Sequence, residues 1–334
     1  MKIILDAMGG DYAPSEIVKG AAAAAKTYPQ AQLVLTGDTE QIRAAAEAAQ
    51  VSLERLQLVH TAEVLTMHDD PLSIMKAKKN SSMGLGLQLL REDGDAFISA
   101  GNTGALHTGA QLVVRCLPGV HRASIATVLP FPTPVLLMDS GANATIQPEY
   151  LSQWALVGSV YMERVLGVPA PRVGLLNIGA EETKGTQSVV EAYKILKDLP
   201  GITFVGNVEA RDIPKGKCDI LLTDGFTGNV VLKYTEGMGA MFFYLLKDLF
   251  YKNLATKVAA LAVKPGLHDL KHSFDASAYG AAPIIGLKRP VFKAHGNSNA
   301  AAIESAVRQA VRYIESGAAD AMEQLSFAPE KAKI

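Results

Sequence analysis

The chain has 334 residues and a net charge of −1. Hydrophobic residues make up 49% of it and charged residues 19%, a balance that excludes a disordered chain and indicates a folded core. The near-zero charge gives no general positive field, which argues against nucleic-acid binding as the main function. Both cysteines, Cys116 and Cys218, lie in apolar runs, so neither a disulfide framework nor a zinc cluster is expected.

Short apolar runs, turns rich in Gly, Asn or Asp, and longer stretches with helical spacing alternate along the whole chain. Strands are predicted at 3–6, 32–36, 57–60, 96–100, 125–129, 135–139, 173–178, 203–205, 219–223 and 290–294. Helices are predicted at 15–27, 39–49, 81–92, 103–115, 149–166, 188–199, 229–263 and 299–315. Most strands are continuously apolar, as expected when helices cover both faces of a mainly parallel sheet. We predict one three-layer α/β/α domain over residues 1–334.

Neither a secretion signal nor a spanning helix is predicted. The first apolar run is short and closes at Asp6, without the pattern of a signal peptide. The longest apolar candidate is interrupted by Lys247, Lys252, Lys257 and Lys264, so it lacks the roughly 20 apolar residues of a spanning helix. A cytoplasmic protein is therefore expected.

Five loops that combine glycines with polar side chains follow predicted strands, at 6–11, 99–104, 140–143, 179–185 and 224–229. In open α/β sheets, ligands lie at the carboxyl ends of strands, where helix N-termini attract anions. Each loop alone is as well explained by turn chemistry, but five at equivalent strand ends indicate converging anion sites. No P-loop, intact dinucleotide fingerprint or Gly-x-Ser-x-Gly elbow is found, so ATP, NAD and a covalent acyl-enzyme are not indicated.

Seven longer strings carry a specific resemblance. They are DAMGGD at 6–11, KKNSSM at 78–83, ISAGNTGAL at 98–106, GLLNIGAEETKG at 174–185, GNVEARD at 206–212, TDGFTGNVVLK at 223–233 and KAHGNSNA at 293–300. In this order they resemble the phosphate acyltransferase family of bacterial glycerolipid synthesis, from the first residues to about residue 315.

The resemblance implies an acyl-acyl-carrier-protein:phosphate acyltransferase of phospholipid synthesis that needs no metal or cofactor. It also implies a homodimer with a fold related to phosphotransacetylases and isopropylmalate-type dehydrogenases. The family's catalytic Lys and Asn match Lys184 and Asn229. We expect Lys184 to neutralise phosphate and the Asn229 amide to orient the developing oxyanion. From the residues alone, a solvated lysine beside Glu181 and Glu182 and a helix N-cap at Asn229 fit as well.

The other predicted phosphate- or substrate-binding residues lie in the same motifs. They are Asp6, Gly9, Gly10, Asp11, Ser81, Ser82, Gly101, Asn102, Thr103, Gly104, Asn143, Glu182, Asp224, Thr227, Gly228 and His295. A structural hydrogen bond explains His295 equally well. Asp6, Asp11, Asp139 and Asp224 form a set suited to a divalent metal, but acids at strand ends also bind loop N–H groups, and the resemblance implies no metal. No metal site is predicted.

The segment at about 238–270 combines a broad apolar surface with spaced lysines. A core helix or a dimer interface explains this pattern as well as a projecting amphipathic tip at a membrane surface. The resemblance favours the membrane, because these enzymes pass a labile product to a membrane-bound glycerol-3-phosphate acyltransferase. Peripheral association with the inner face of the cell membrane is expected. The predicted membrane contacts are Phe242, Leu246, Leu249, Phe250, Leu254, Val258 and Leu261.

Three other functions stay open: a phosphotransacylase for short acyl-CoA, a dehydrogenase on a related fold, and a non-enzymatic membrane scaffold. Two stretches depart from the family pattern. Ala144 and Thr145 follow Asn143 where the family usually has Val and Asp, which removes an expected acidic contact. After Tyr279 the family commonly has two consecutive glycines where this chain has Ala281 and its neighbouring alanine, so a reshaped loop is expected.

Overall fold

The structure, a computed structural model, describes residues 1–273 and 280–327, with the backbone alone at 262, 265 and 267–273. The strands of the described chain form one sheet. They are β1 (Lys2–Asp6), β2 (Gln32–Gly37), β3 (Leu56–His60), β4 (Ala96–Ser99), β5 (Ser124–Leu129), β6 (Val135–Met138), β7 (Arg172–Asn177), β8 (Thr203–Glu209), β9 (Ile220–Leu222), β10 (Ala281–Ile285) and β11 (Val291–Ala294). The α-helices are α1 (Ser15–Thr27), α2 (Thr39–Ala48), α3 (Ser82–Glu92), α4 (Thr103–Gly109), α5 (Pro148–Tyr161), α6 (Gln187–Lys197), α7 (Gly225–Tyr251), α8 (Leu254–Ser273), α9 (Ala300–Glu315) and α10 (Ala318–Glu323).

The sheet has the order β3-β2-β1-β4-β11-β10-β5-β6-β9-β7-β8. All pairs are parallel except the three that involve β10 or join β5 to β6. The predicted mainly parallel α/β fold is confirmed. Because of the three antiparallel pairs, β1, β2, β3, β4 and β11 form a first block, and β6, β7, β8 and β9 form a second block that runs in the opposite direction. The glycine-rich loops therefore belong to two groups of strand ends instead of one.

Helices cover both faces of the sheet because its strands are apolar on both faces. Ile3 and Leu5 of β1 pack on the face covered by α1 and α9, whereas Ile4 packs with Phe97 and the apolar side of α3 on the other face. All of these β1 side chains are buried. Burial of each such side chain stabilises the fold by about 1.5–3 kcal/mol. This packing produces three layers, and the assignment of the whole chain to one domain stays a prediction.

The long helix predicted at 229–263 is two helices. The first, α7, begins four residues earlier, because Asp224 caps it and accepts the N–H of Thr227. The second, α8, follows a break at which Asn253 accepts the N–H of Thr256 at 3.0 Å. Asn229 thus lies inside α7, and the interpretation of Asn229 as the N-cap is wrong.

The described side chains of α7 and α8 form a surface that is largely apolar and exposed. The buried residues of α7 are Gly225 and Gly228, both at its start. Among the predicted membrane contacts, Phe242, Leu249, Leu254, Val258 and Leu261 are exposed and Leu246 and Phe250 are half-buried. No helix in the described ranges has both the length and the apolar composition needed to cross a membrane. Tyr279, near which a reshaped loop was predicted, lies outside the described ranges, whereas Ala281 and Ala282 lie in the strand β10.

Candidate functional site

The loop after β6 is folded around Asp139. This carboxylate is fully buried and accepts the backbone N–H groups of Ile125, Gly141, Ala142 and Asn143 at 3.3, 3.1, 3.0 and 2.6 Å. The side-chain amide of Asn143 donates to the same carboxylate at 2.7 Å. Asn143, predicted to bind substrate, is thus buried and serves the loop. The acid that the family usually has shortly after Asn143 is absent here, and this network is complete without it.

The start of α7 packs directly on that loop. A Cβ at Gly225 would lie 2.8 Å from the nitrogen of Asn143, and a Cβ at Gly228 would overlap the carbonyl oxygen of Asp139. This contact brings Asn229 against Gly141, where an added Cβ would lie 3.6 Å from the Asn229 amide oxygen. Glycine at these positions therefore allows α7 to present an exposed Asn229 side chain at the end of β6.

The Lys184 loop follows β7, which pairs in parallel with β9 and therefore ends beside the loop that leads to Asn229. Asn177 donates to the carbonyl of Lys184 at 2.9 Å, and Asn207 of β8 donates to the carbonyl of Glu181 at 2.8 Å. The Lys184 side chain is exposed and forms no ion pair within the described residues. Two asparagines thus fix the backbone and leave the ammonium free.

Glu182 is engaged away from Lys184. Its carboxylate accepts a hydrogen bond from Lys197 at 2.8 Å and one from the Tyr193 hydroxyl at 3.2 Å. The hydrogen bond from Lys197, with a smaller contribution from that of Tyr193, lowers the pKa of Glu182 below its ordinary value. Glu182 therefore pairs with Lys197 and not with Lys184.

In the first block, Asp6 holds the loops after β1 and β4 together. It is 2% exposed, accepts the Ser99 hydroxyl at 2.7 Å and accepts the Met8 N–H at 3.2 Å. Burial raises the pKa of Asp6, and hydrogen bonds from Ser82 and Ser99 oppose this effect. A Cβ at Gly9 would lie 2.8 Å from the nitrogen of Gly101. This glycine therefore lets the two loops pack closely.

Two polar residues of the first block act as caps. Ser81 accepts the N–H of Gly84 at the start of α3. Asn102 accepts the N–H of Ala105 at the start of α4, while its amide nitrogen lies 3.3 Å from each of the carbonyls of Thr66, Met67 and Asp69. Both atoms of the Asn102 amide are thus used to hold the chain.

A cleft of about 960 Å³ is lined by residues of both blocks and of the central strands β5 and β10. Four of the predicted site residues line it: Asp11, Thr103, Asn229 and His295. The others lie outside its lining: Lys184, Asp6, Gly9, Gly10, Ser81, Ser82, Gly101, Asn102, Gly104, Asn143, Glu182, Asp224, Thr227 and Gly228. Five of these form hydrogen bonds with the backbone of the loops: Asp6, Ser81, Asn102, Asn143 and Asp224.

Lys293 and Ser298 line the cleft and were missed by the sequence reasoning. Both occur in the KAHGNSNA string, and only their burial in the fold distinguishes them from surface residues. Burial lowers the pKa of Lys293 to about 8, while the charges of Asp11 and Asp6 act in the opposite direction. The cleft therefore contains an ammonium group that loses its proton near pH 8.

The four strand-end aspartates do not form a common site. Asp6 and Asp11 follow β1 in the first block, whereas Asp139 and Asp224 lie in the second. Over residues 1–273 and 280–327, no group of three or more His, Cys, Asp or Glu side chains is arranged to hold a metal ion.

Known proteins share both the sequence and the fold. Solved structures of phosphotransacetylases from Streptococcus pyogenes and Staphylococcus aureus align with TM-scores of 0.63 and 0.60. They cover 94% and 95% of this chain, and 94% of each of those chains. At 18% and 14% identity these two show the fold alone.

Sequence comparison is more specific. The profile of a family described as "Fatty acid synthesis protein" matches residues 1–321. A phosphate acyltransferase from Alkaliphilus oremlandii is 45% identical over 317 residues, which cover 94% of both chains. Another from Geobacillus sp. (strain WCH70) is 45% identical over 313 residues, which cover 93% of this chain and 94% of the relative. The chain belongs to the phosphate acyltransferase family, a family of acyl-transferring enzymes.

Proposed function

We propose that this protein transfers a long-chain acyl group from acyl-acyl-carrier-protein to inorganic phosphate and so supplies acyl phosphate for phospholipid synthesis. The cleft is the observation that carries the proposal. Apolar side chains, including Ile125, Val128 and Pro283, form part of its lining, and other lining residues carry amide, hydroxyl and ammonium groups. The apolar part suits an acyl chain, and the volume lies at the upper end of the roughly 300–1,000 Å³ of small-molecule sites.

The reaction needs little acid–base help from the protein. A phosphate oxygen attacks the thioester carbonyl carbon, the carbon–sulfur bond of the tetrahedral intermediate breaks, and the carrier leaves as a thiolate that takes a proton from water. The protein must hold two anionic groups close together and stabilise the oxyanion. Asn229 is exposed at the cleft wall and donates to the oxyanion, and Lys184 supplies positive charge from the adjacent loop.

The first experiment follows acyl phosphate by hydroxylamine trapping. Purified protein with long-chain acyl-acyl-carrier-protein and phosphate is expected to form hydroxamate. Lys184→Ala and Asn229→Ala are each expected to lose on the order of 10²–10³ in kcat. Lys194→Ala is the matched control, because it removes the same charge from an exposed position on the neighbouring helix α6. Near-normal turnover in folded Lys184→Ala or Asn229→Ala would contradict the assignment of that residue.

The carrier and acyl length are tested in the same assay. Faster turnover of acetyl-CoA than of long-chain acyl-carrier-protein would favour a short-chain phosphotransacylase. An absorbance change on addition of NAD would favour a dehydrogenase. Lipid binding without turnover of any thioester would favour a scaffold.

The exposed apolar surface of α7 and α8 supports two further parts of the proposal. An open apolar surface of this kind marks an interaction site, and the lysines at 247, 252, 257 and 264 are exposed beside it. We propose a cytoplasmic homodimer that binds the inner face of the cell membrane through this surface and delivers its product to a glycerol-3-phosphate acyltransferase.

Each part has its own measurement. Flotation with anionic vesicles at low salt is expected to carry the protein to the lipid fraction, and Leu254→Asp is expected to reduce this binding. Light scattering after gel filtration is expected to give twice the 35.4 kDa chain mass. Protein that stays in the lipid-free fraction, or that elutes as a monomer, would contradict the corresponding part.

A further inference from the structure

Lys293 lies on β11 with its ammonium held in a fixed position at the cleft. Its Nζ donates to the carbonyl of Ala100 at 3.3 Å and to the carbonyl of Ala294. The first carbonyl belongs to the end of β4 and the second to the end of β11, so two strand ends fix the group. An ammonium has three N–H donors, and the third has no partner among the described residues.

No carboxylate of residues 1–273 or 280–327 is in direct contact with the ammonium of Lys293. Lys233, the other lysine of the lining, lies 2.8 Å from Glu236, which also lines the cleft. Lys293 forms no ion pair in the described part of the chain. The charges of Asp11 and Asp6 act on Lys293 without an ion-pair contact, and Asp6 is hydrogen-bonded to Ser99. A charge removed from water is normally paired, and an anionic ligand would complete the pairing.

Ser298 provides an independent observation on the same wall. It is 6% exposed, lines the cleft, and its hydroxyl has no hydrogen-bond partner within the described residues. Buried hydroxyls are normally satisfied, so this group is also one that a ligand or its water would complete.

The N-terminus of α9, which follows Ser298, is already occupied. Glu16 accepts the N–H of Ala300 at 2.8 Å, and Asn299 accepts the N–H of Ala302 at 3.0 Å. The site therefore depends on the side chains of Lys293 and Ser298 and not on the end of the helix.

We propose that Lys293 and Ser298 bind the inorganic phosphate that attacks the thioester. The inference rests on the proposed function and divides the cleft into two parts. Phosphate lies on the wall formed by the first block, and the thioester carbonyl faces Asn229 on the wall formed by α7. Phosphate accepts one hydrogen bond from the free N–H of Lys293 and approaches the Ser298 hydroxyl directly or through water. His295, two residues after Lys293, also lines the cleft.

Steady-state kinetics test the assignment. Lys293→Met keeps the length of the side chain and removes its charge, and we expect the KM for phosphate to rise about 10-fold or more with the KM for the acyl donor unchanged. Ser298→Ala is expected to raise the phosphate KM several-fold. Lys288→Met is the control, because it removes the same charge from the exposed far end of the β10–β11 hairpin. An unchanged phosphate KM in folded Lys293→Met would overturn the proposal.

The pH dependence separates binding from a purely structural role. Lys293 is charged below its pKa of about 8 and neutral above it, so the phosphate KM of the wild type is expected to rise as pH increases through this value. Lys293→Arg stays charged and is expected to keep a low phosphate KM to higher pH. Wild-type and Lys293→Arg profiles that coincide would overturn the proposal even if Lys293→Met does not fold.

A binding measurement distinguishes failure of this inference from failure of the proposed function. Inorganic phosphate, compared with chloride at equal ionic strength, is expected to raise the Tm of the wild type and of Lys288→Met, and to raise it less in Ser298→Ala and least in Lys293→Met. This pattern in a protein without acyltransferase activity would refute the proposed function and keep the phosphate site. Turnover with equal phosphate-dependent shifts in all four proteins would refute the site and keep the function.

Discussion

Replacing Asp139 by Asn tests most strongly whether its buried carboxylate holds the loops at the cleft. One of its oxygens accepts the N–H groups of Ile125, Gly141 and Ala142, and the other accepts two donors from Asn143. Asp139→Asn replaces one oxygen by an NH₂ group. Whichever way the new amide turns, at least two N–H donors then face another donor.

The expected cost follows from these contacts. A hydrogen bond to a charged group contributes about 1.5–3 kcal/mol, so the loss of two lowers the free energy of unfolding by about 3–6 kcal/mol. This is a large share of the roughly 5–15 kcal/mol of a typical domain. Urea unfolding followed by circular dichroism measures the change as a lower midpoint with an unchanged slope.

Asp224→Asn is the matched control in the neighbouring loop. Asp224 accepts the N–H of Thr227 with one oxygen and the Thr227 hydroxyl with the other. An Asn can accept the first and donate to the second, and Asn is an equally good N-cap. We expect a change below about 1 kcal/mol, as for a replacement that keeps its hydrogen bonds. Equal effects of the two substitutions, or a loss below 1 kcal/mol for Asp139→Asn, would refute the reasoning.

Three further predictions concern stability and reactivity. Burial raises the pKa of the Cys218 thiol to about 12, so iodoacetamide at pH 8 is expected to label it only after unfolding, as mass spectrometry will show; rapid labelling of native protein would contradict this. Hydrogen bonds from Lys215 and Lys217 lower the pKa of Asp212 to about 2. These hydrogen bonds stabilise the fold above the ordinary carboxyl pKa, and their contribution is lost as pH falls toward 2. Asp212→Asn is therefore expected to have a lower Tm than the wild type at pH 6, and this difference is expected to disappear between pH 4 and 2. A Cβ at Gly86 would overlap the phenylalanine ring of β4, and Gly86→Ala is expected to cost about 1–3 kcal/mol in urea unfolding; a neutral result would refute the overlap.

The sequence predicts the sheet well because its strands are buried on both faces. Continuous apolar runs such as Ile3 to Leu5 have few structural alternatives once turns bound them. The strand β10 was missed because its AAPII sequence is short, rich in alanine and contains Pro283, which is uncommon in strands. Only the tertiary pairing with β5 and β11 makes it a strand, and the second block is reversed by the antiparallel pairing of β5 with β6.

The lining of the cleft also depends on tertiary packing, so the sequence indicates it only in part. Motifs identify which loops matter, but they do not show which polar atoms the fold uses for itself. Asn102 and Asn143 are residues of a type that often binds ligands, yet their side-chain amides form hydrogen bonds within the loops. Lysine is usually a surface residue. Only the pairing of β11 with β4 places the Lys293 ammonium half-buried at the cleft.

The central claim is the transfer of an acyl group to phosphate, and a single-turnover experiment with ³²P-labelled phosphate and long-chain acyl-acyl-carrier-protein tests it most directly. We predict that label appears in acyl phosphate in equal amount to the free carrier thiol, and that both products are lost in Asn229→Ala. Release of thiol and free fatty acid with all the label left in inorganic phosphate would show hydrolysis and contradict the account.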